Sequence, residues 1–159
     1  MTGTTVVRSP DEGEAFWMLN SLYEVRASSD ETGGELTAME MTLPPGMGPP
    51  PHVHDVGETV YVIEGTVRYH IAGEIHEGGP GTVFYVPAGI EENFESADAD
   101  NVRLLVIYTP GGMDKFFREA GEPAQRREVP PPSDAPPDIE RLSAIAEKHG
   151  LKLKVPAGA

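Results

Sequence analysis

The sequence has 159 residues, with 26 acidic against 12 basic side chains and a formal net charge of -14. Such a negative chain repels phosphate backbones and anionic lipid headgroups, which argues against nucleic-acid or membrane partners. Cysteine is absent, which excludes disulfides, thiolate metal ligands and a cysteine nucleophile.

The length fits one domain with a hydrophobic core. The first residues carry neither the basic cluster nor the apolar stretch of a secretory signal. No apolar run approaches the roughly 20 residues that a membrane-spanning helix needs. We therefore expect a soluble, cytoplasmic protein.

Short strands separated by glycine and proline dominate the chain up to residue 109, a pattern typical of an all-β barrel or sandwich. The predicted strands span residues 15–20, 23–28, 35–43, 52–54, 59–64, 66–72, 74–76, 82–87, 93–96 and 102–109.

The composition changes after residue 109. A short helix is predicted over residues 113–120, with Phe116 and Phe117 as its apolar anchors, followed by a proline-rich strap over 122–138. We predict that residues 1–112 form the barrel with its N-terminal strands. Residues 113–159 form a C-terminal extension that packs on the barrel and is not a separate domain.

A second helix is predicted after Asp138, which is a suitable N-cap, with Ile139, Leu142 and Ile145 on one face. A helix of this length is marginal in isolation, so it must pack on the barrel or on a second subunit. Alternating apolar residues and lysines over 151–155 predict a short edge strand.

Residues 46–65 are the most informative part of the chain. His52 and His54 stand at i and i+2, so they point to the same face of a strand. Glu58 would join that face if the strand continued, while Gly57 could host a bulge that redirects it. Val60 and Val62 share the same parity and predict that this is a core face. Two imidazoles and a carboxylate are the ligand set of a non-haem iron, manganese, nickel, copper or zinc site.

A second segment, residues 81–96, reads as a strand, a Pro-x-Gly turn and a returning strand. Together the two segments resemble the two motifs of the cupin superfamily. The first motif is complete, with its glycines at Gly46 and Gly65 and its ligand positions at His52, His54 and Glu58.

The second motif matches at Gly81, Pro87 and Gly89, but Glu92 replaces the third metal-binding histidine and Ser96 replaces an asparagine. The resemblance implies a double-stranded β-helix, the jelly-roll barrel, here with short C-terminal helices. A closer resemblance is to bacterial single-domain cupins grouped with quercetin 2,3-dioxygenases.

Three roles are open for Glu92. The first is to ligate a metal together with the residues of the first motif. The second is to form a metal-free acid/base set with Glu58 and the histidines. The third is to point to solvent. Glu91 and Glu92 are adjacent, so one of them points outward on a strand. A site with two histidines and two carboxylates would favour Fe(II) or Mn(II), with Zn(II) as a further option.

Three hypotheses about the function follow. The first is a metal-dependent, dioxygenase-like enzyme acting on an oxygen-rich aromatic or polyketide-like metabolite, with His52, His54, Glu58 and Glu92 as ligands. The second is a metal-free cyclase, isomerase or dehydratase of secondary metabolism that uses the same cluster for acid/base chemistry. The third is a non-catalytic binding module. In the two enzyme readings the catalytic candidates are Glu58, Glu92 and His54.

Further residues are candidates for substrate binding. Glu40 lies on an otherwise apolar strand and faces either the cavity or solvent. Phe94 shares parity with Glu92 and would wall the same cavity. Tyr61 is a candidate to orient substrate, although a core role is the default for a tyrosine in a strand. A homodimer is also expected, from the cupin resemblance and from the second helix's need for a partner surface.

Overall fold

The computed structural model describes residues 2–154. In chain order its elements are β1 (Ala15–Met18), β2 (Ser21–Ala27), β3 (Thr37–Leu43), β4 (His52–His54), β5 (Gly57–Glu64), β6 (Val67–Ile71), β7 (Glu74–Gly78), β8 (Val83–Val86), β9 (Glu91–Ser96), β10 (Val102–Thr109), α1 (Met113–Ala120), β11 (Glu122–Pro123), α2 (Ile139–Lys148) and β12 (Leu151–Leu153).

The strands form two antiparallel sheets, as the predicted jelly-roll barrel requires. Seven strands follow the order β11-β1-β2-β3-β10-β5-β8, and five follow the order β12-β4-β9-β6-β7. Every predicted strand is present with its ends within about two residues. Alternating apolar and polar residues set the inward face of strands such as β3 and β10. The two-residue strand β11 was not predicted, since it lies in the proline-rich segment.

The core lies between the two sheets. On β3, Met39, Met41 and Leu43 are buried and alternate with half-buried residues. On β5, Val60 and Val62 are fully buried, as their parity predicted. The inward faces of the two sheets therefore share one apolar interior.

The chain crosses from one sheet to the other between β4 and β5, at Asp55 and Val56. The idea that Glu58 continues the histidine strand is therefore wrong. His52 and His54 belong to the five-stranded sheet, whereas Glu58 belongs to the seven-stranded sheet. Both inward faces look into the same interior, so Glu58 still reaches the histidines, from the opposite side.

The C-terminal extension packs on the barrel over residues 113–154. Leu142, Ile145 and Ala146 of α2 are buried in the same core as the barrel strands. The predicted N-cap is present, because the side chain of Asp138 accepts a hydrogen bond from the backbone N–H of Arg141 at 3.0 Å. The apolar face of α2 is thus covered within one chain and does not require a second subunit.

The predicted edge strand after α2 is β12, which pairs with the histidine strand β4 and lies at the edge of its sheet. Val155, predicted to belong to this strand, lies outside the described residues. The core that barrel and extension share supports the prediction that residues 113–159 are not a separate domain; the division itself stays a prediction. Within residues 2–154, no helix is long and apolar enough to cross a membrane.

Candidate metal centre

Four side chains converge inside the barrel from three strands. His52 and His54 come from β4, and Glu92 comes from the neighbouring β9, where it pairs in register with His52. Glu58 comes from β5 of the facing sheet. All four are buried, with 6% exposure or less. Glu91, the neighbour of Glu92, is exposed, so Glu92 is the glutamate that points inward.

The proline run before β4 helps to orient the first histidine. Proline favours an extended conformation in the residue before it, and residues 49–51 lead straight into the strand. His52 Nδ1–H donates to the carbonyl oxygen of Pro50 at 2.8 Å, which places the free Nε2 toward the cluster. Such a hydrogen bond on the far nitrogen is typical of metal-ligating histidines. His54 Nδ1 is buried and has no hydrogen-bond partner among residues 2–154.

Each histidine Nε2 lies close to a carboxylate oxygen. His54 Nε2 is 2.9 Å from Glu58 Oε2, and His52 Nε2 is 3.3 Å from Glu92 Oε1. His54 Nε2 is also 3.7 Å from Glu92 Oε1. Despite these distances, the two oxygens make no aligned hydrogen bond with any residue of the described chain. Both oxygens are therefore buried close to the imidazoles without a hydrogen-bond partner in the described chain.

The spacing of these atoms fits a metal ion. One ligand atom from each of His52, His54, Glu58 and Glu92 lies within 4.8 Å of all the others. Ligands about 2.1 Å from a cation, on opposite sides of it, are about 4.2 Å apart. A small contraction of the cluster would therefore give normal metal–ligand distances, and two unpartnered buried oxygens would gain the partner they lack. The residues present fit a divalent cation.

When no cation is bound, the two buried carboxylates of the cluster repel each other. Burial, followed by the negative charge of Glu58, raises the pKa of Glu92 from 4.5 to about 8. Two carboxylates this close in a buried site cannot both ionise cheaply, so Glu92 holds a proton at neutral pH. A divalent cation would neutralise both carboxylates and remove the need for that proton.

The two histidines are shifted in opposite directions. Burial, followed by the positive charge of His52, lowers the pKa of His54 from 6.5 to about 3. Burial also disfavours the charge on His52, but its contact with Glu92 and the negative charges of Glu58 and Glu92 outweigh burial, so its pKa is raised. His54 is therefore neutral at physiological pH, as a metal ligand must be, and His52 is the stronger base of the pair.

A tyrosine that was not among the predicted site residues belongs to the cluster. Tyr69, on β6, is fully buried, and its hydroxyl lies 3.3 Å from Glu58 Oε1 and 3.2 Å from Glu92 Oε2. Burial, followed by the charges of Glu58 and Glu92, raises the pKa of Tyr69 well above 10. Its parity with the buried Val67 could have indicated that it points inward, but no local pattern reveals its contact with the two carboxylates.

An apolar cavity leads to the histidines and encloses about 40 Å³ of free volume, room for a few water molecules. His52 and His54 form part of its wall, next to Phe94. The other lining residues come mainly from the N-terminal strands and the C-terminal extension: Met18, Leu19, Tyr23, Met41, Pro49, Pro50, Tyr108, Met113, Phe116, Phe117, Leu142, Leu151 and Leu153.

Of the three residues proposed to bind substrate, Phe94 lines this cavity and the other two do not. Glu40 lies on the outward face of β3, between the buried Met39 and Met41, and pairs with Arg103 at 3.4 Å. Tyr61 is 44% exposed on the outer face of β5. The structure thus does not bring Glu40 and Tyr61 to the cluster, because their strand parity places them on the opposite side of the sheet.

Comparison with known proteins agrees with this architecture. The cupin domain model matches residues 39–108, which contain both motifs. None of the curated proteins matches the chain significantly in sequence. Among solved structures, the chain is similar to an RmlC-like cupin from Shewanella frigidimarina, with 18% identity over 72% of this chain and 99% of that one and a TM-score of 0.62.

Two further structures illustrate the range of similar proteins. A predicted oxalate decarboxylase from Thermotoga maritima has 20% identity over 67% of this chain and 99% of its own, with a TM-score of 0.60. The polyketide cyclase RemF from Streptomyces resistomycificus has 22% identity over 77% of this chain and 78% of its own, with a TM-score of 0.52. Residues 39–108 therefore carry a cupin domain. At these identities the likeness to individual structures establishes the fold alone.

Proposed function

We propose that this cupin is a metal-dependent enzyme that acts on a small, oxygen-bearing aromatic or polyketide-like metabolite in a dioxygenase-like reaction. One observation carries the proposal. Two imidazoles and two carboxylates converge beside an apolar cavity whose wall includes both histidines, and each carboxylate has one oxygen without a partner among the described residues. Fold membership alone would not support it, because cupins catalyse diverse reactions.

His52, His54, Glu58 and Glu92 would hold the cation, and their two negative charges balance a divalent ion. Carboxylate oxygens together with imidazoles favour Fe(II) or Mn(II), and Zn(II), Ni(II) or Cu(II) are compatible with the same donors. Such a cation supplies Lewis-acid polarisation of enol or hydroxyl oxygens, and a redox-active one also supplies the electron chemistry of a dioxygenase.

The chain's own residues provide binding and proton transfer. The cavity as it stands has room for a few water molecules, so its apolar walls, which include Phe94 and Phe117, would have to move apart to admit an aromatic body. Packed against that body, they would exclude water from the cluster. Glu58 Oε2, which accepts no hydrogen bond from the described residues, would hold the cation, and it would take a proton from a substrate hydroxyl only after swinging off that cation. The substrate would enter with its oxygens toward the histidines, since they are the polar groups at that end of the cavity.

A second function is favoured by the raised pKa of Glu92, about 8. Without a cation, Glu92 is a protonated acid at neutral pH, and His52, whose pKa is raised, is a candidate base. His54 was the other candidate base, and its pKa of about 3 makes it the weaker base of the two. This arrangement would suit a metal-free cyclase, isomerase or dehydratase, and the fold is shared with a polyketide cyclase.

The homodimer is also proposed, now from a different surface. Tyr61 and Val83 face each other across β5 and β8, next to Tyr85, and all three are exposed by 44% or more on the outer side of the sheet. Contiguous exposed apolar residues of this kind mark interaction surfaces. Light scattering that gives the mass of two chains supports the proposal, and the mass of one chain at micromolar concentration contradicts it. The cytoplasmic location stays a prediction.

The metal content of the purified protein tests the proposed function. About one equivalent of Fe, Mn, Ni, Cu or Zn, lost in His52→Ala with the barrel still folded, supports the metal-dependent enzyme. Oxygen uptake with flavonol-like or polyketide substrates then separates a dioxygenase from a cyclase, which consumes no oxygen. Absence of metal, together with failure to bind added cations, would overturn the first function and leave the acid/base enzyme or a binding module.

A further inference from the structure

The hydroxyl of Tyr69 stands between the two carboxylates of the cluster. It lies 3.3 Å from Glu58 Oε1 and 3.2 Å from Glu92 Oε2. Glu58 and Glu92 reach this point from different sheets, β5 and β9. Tyr69 therefore makes a polar contact with both carboxylates across the interior of the barrel.

The ring of Tyr69 is held firmly. Its centroid lies 5.1 Å from that of Phe84, on the facing sheet, and 5.2 Å from that of Phe94, its register partner on β9. The side chain is fully buried. A packed aromatic ring with two restricted torsions costs little further entropy when its hydroxyl makes hydrogen bonds. The position of the hydroxyl is thus set by packing, independently of the carboxylates.

The contacts divide the four carboxylate oxygens into two classes. Tyr69 contacts Oε1 of Glu58 and Oε2 of Glu92. The other oxygen of each carboxylate faces a histidine Nε2 and has no hydrogen-bond partner in the described chain. One oxygen of each glutamate is anchored, and the other is left free at the point where the four side chains converge.

We propose that Tyr69 is a positioning residue that anchors the outer oxygen of both glutamates, so that each presents a single oxygen to a divalent cation. This role rests on the proposed metal-dependent function. A hydroxyl has one proton and two lone pairs, so it can donate to one carboxylate and, when the other is protonated, accept from it. When a cation is bound and both carboxylates are ionised, the single proton is shared between the two oxygens, 3.3 and 3.2 Å away, as a bifurcated hydrogen bond. In both states the hydroxyl links two side chains carried by different sheets.

The first test is cation binding by Tyr69→Phe, which keeps the ring and removes the hydroxyl. With Co²⁺ alone as the probe, we expect binding weakened about 10- to 100-fold and an altered visible absorption spectrum, the size of effect usual for groups that orient metal ligands. Tyr61→Phe, which removes a hydroxyl from the outer face, is the matched control and should leave both unchanged. Affinity within twofold of the parent, with an identical spectrum, would overturn the inference.

A second test needs no metal. In cation-free protein, the Tyr69 hydroxyl proton should give a protected, low-field proton resonance that is absent in Tyr69→Phe. It should shift in both Glu58→Gln and Glu92→Gln, and stay unchanged in Glu40→Gln, whose side chain faces outward. A missing resonance, or one that responds to neither or to only one of the two cluster variants, contradicts the anchoring of both glutamates. If the parent protein binds no Co²⁺, the proposed metal-dependent function is contradicted. The resonance of the cation-free protein still tests whether Tyr69 anchors Glu58 and Glu92.

Discussion

The site has two regions: the ionisable cluster of His52, His54, Glu58 and Glu92, called the inner end, and the apolar remainder of the cavity wall, called the mouth. They are built by different parts of the chain. The inner end is a cluster of ionisable groups, in which His52, His54 and Glu92 come from adjacent strands and Glu58 from the facing sheet. The mouth is apolar, and much of it comes from the C-terminal extension, including Phe117 of α1. Electrostatics therefore govern the inner end, and packing governs the mouth.

This division suggests how chemistry and selectivity are separated. The cluster fixes where a substrate oxygen would be bound, whereas the extension sets the shape of the space around the rest of the molecule. The two regions are still joined, because β12 of the extension pairs directly with the histidine strand β4. Substitutions can show whether the regions act independently, and four predictions follow from the largest expected effect to the smallest.

Removing a histidine should give the largest effect. In His54→Ala the cluster loses one of four ligands, and we expect cation affinity to fall by at least ~100-fold, more than for groups that merely orient a ligand. Because β4 is held by β9 and β12, the barrel should remain folded. Titration calorimetry with Mn²⁺ and circular dichroism check both points. Undiminished binding would show that the cation binds elsewhere and that the cluster is not the metal site.

Replacing Glu92 with histidine tests what this residue does. If a cation is bound, Glu92→His should still bind it, with preference shifted toward Ni(II) or Cu(II), because imidazole is a softer donor than carboxylate. If Glu92 acts as a protonated acid, the variant should gain metal affinity and lose turnover. Competition between cations and steady-state rates distinguish these results. A variant identical to the parent in both respects would mean that Glu92 carries no chemistry.

The stability of the cation-free protein should depend on pH. Glu92 has its pKa raised from 4.5 to about 8, so above pH 4.5 the unfolded chain releases a proton that the folded chain retains until about pH 8. Folding stability from this group is therefore lost as pH rises, and the raised pKa of His52 acts in the same direction.

Between pH 6.5 and 8 the loss from Glu92 should be about 2 kcal/mol. Below pH 6.5, the ordinary pKa of a histidine, His54 opposes this trend, because its folded pKa of about 3 costs stability as pH falls. Urea unfolding of chelator-treated protein at several pH values measures the slope, and Glu92→Gln should flatten it. Stability that rises from pH 6.5 to 8 would contradict the electrostatics assigned to the inner end.

Trimming the mouth should give the smallest effect on the cluster. Leu153→Ala enlarges the cavity at a half-buried position, so we expect a stability loss below the roughly 2–5 kcal/mol of fully buried leucines. Cation affinity should stay within twofold of the parent, while the KM values of bulky and small substrates change relative to each other. A large loss of cation affinity would show that β12 controls the histidine strand and that the two regions are not separable.

Most residues of the inner end were predictable because short segments of sequence, through strand parity and motif spacing, indicate them. His52 and His54 share a strand face, and the spacing of the second motif points to Glu92. Glu58 was predicted on two grounds. A continued histidine strand is wrong, since Glu58 arrives from the other sheet, but the spacing of the first motif does point to a residue of the cluster. Strand parity also held the signal that Tyr61 faces outward, because Val60 and Val62 on either side of it are buried.

The mouth could not be predicted in the same way. The extension was expected to pack on the barrel or on a second subunit, and local patterns do not determine which faces of α1 and α2 meet which strands. The contacts of Leu142 and Phe117 with the cavity depend on that docking. Tyr69 illustrates the same limit at the inner end, where parity gives its direction but not its two partners.

The most direct test of the central claim is the X-ray absorption spectrum of protein loaded with one equivalent of Mn²⁺ or Fe²⁺. The account predicts a nitrogen and oxygen coordination shell that contains two imidazoles, one of which disappears in His52→Ala. Carboxylate oxygens from Glu58 and Glu92 should complete the protein's share of the shell. A spectrum with no imidazole contribution, or a chain that takes up no cation at all, would contradict the claim that residues from both sheets hold one metal ion.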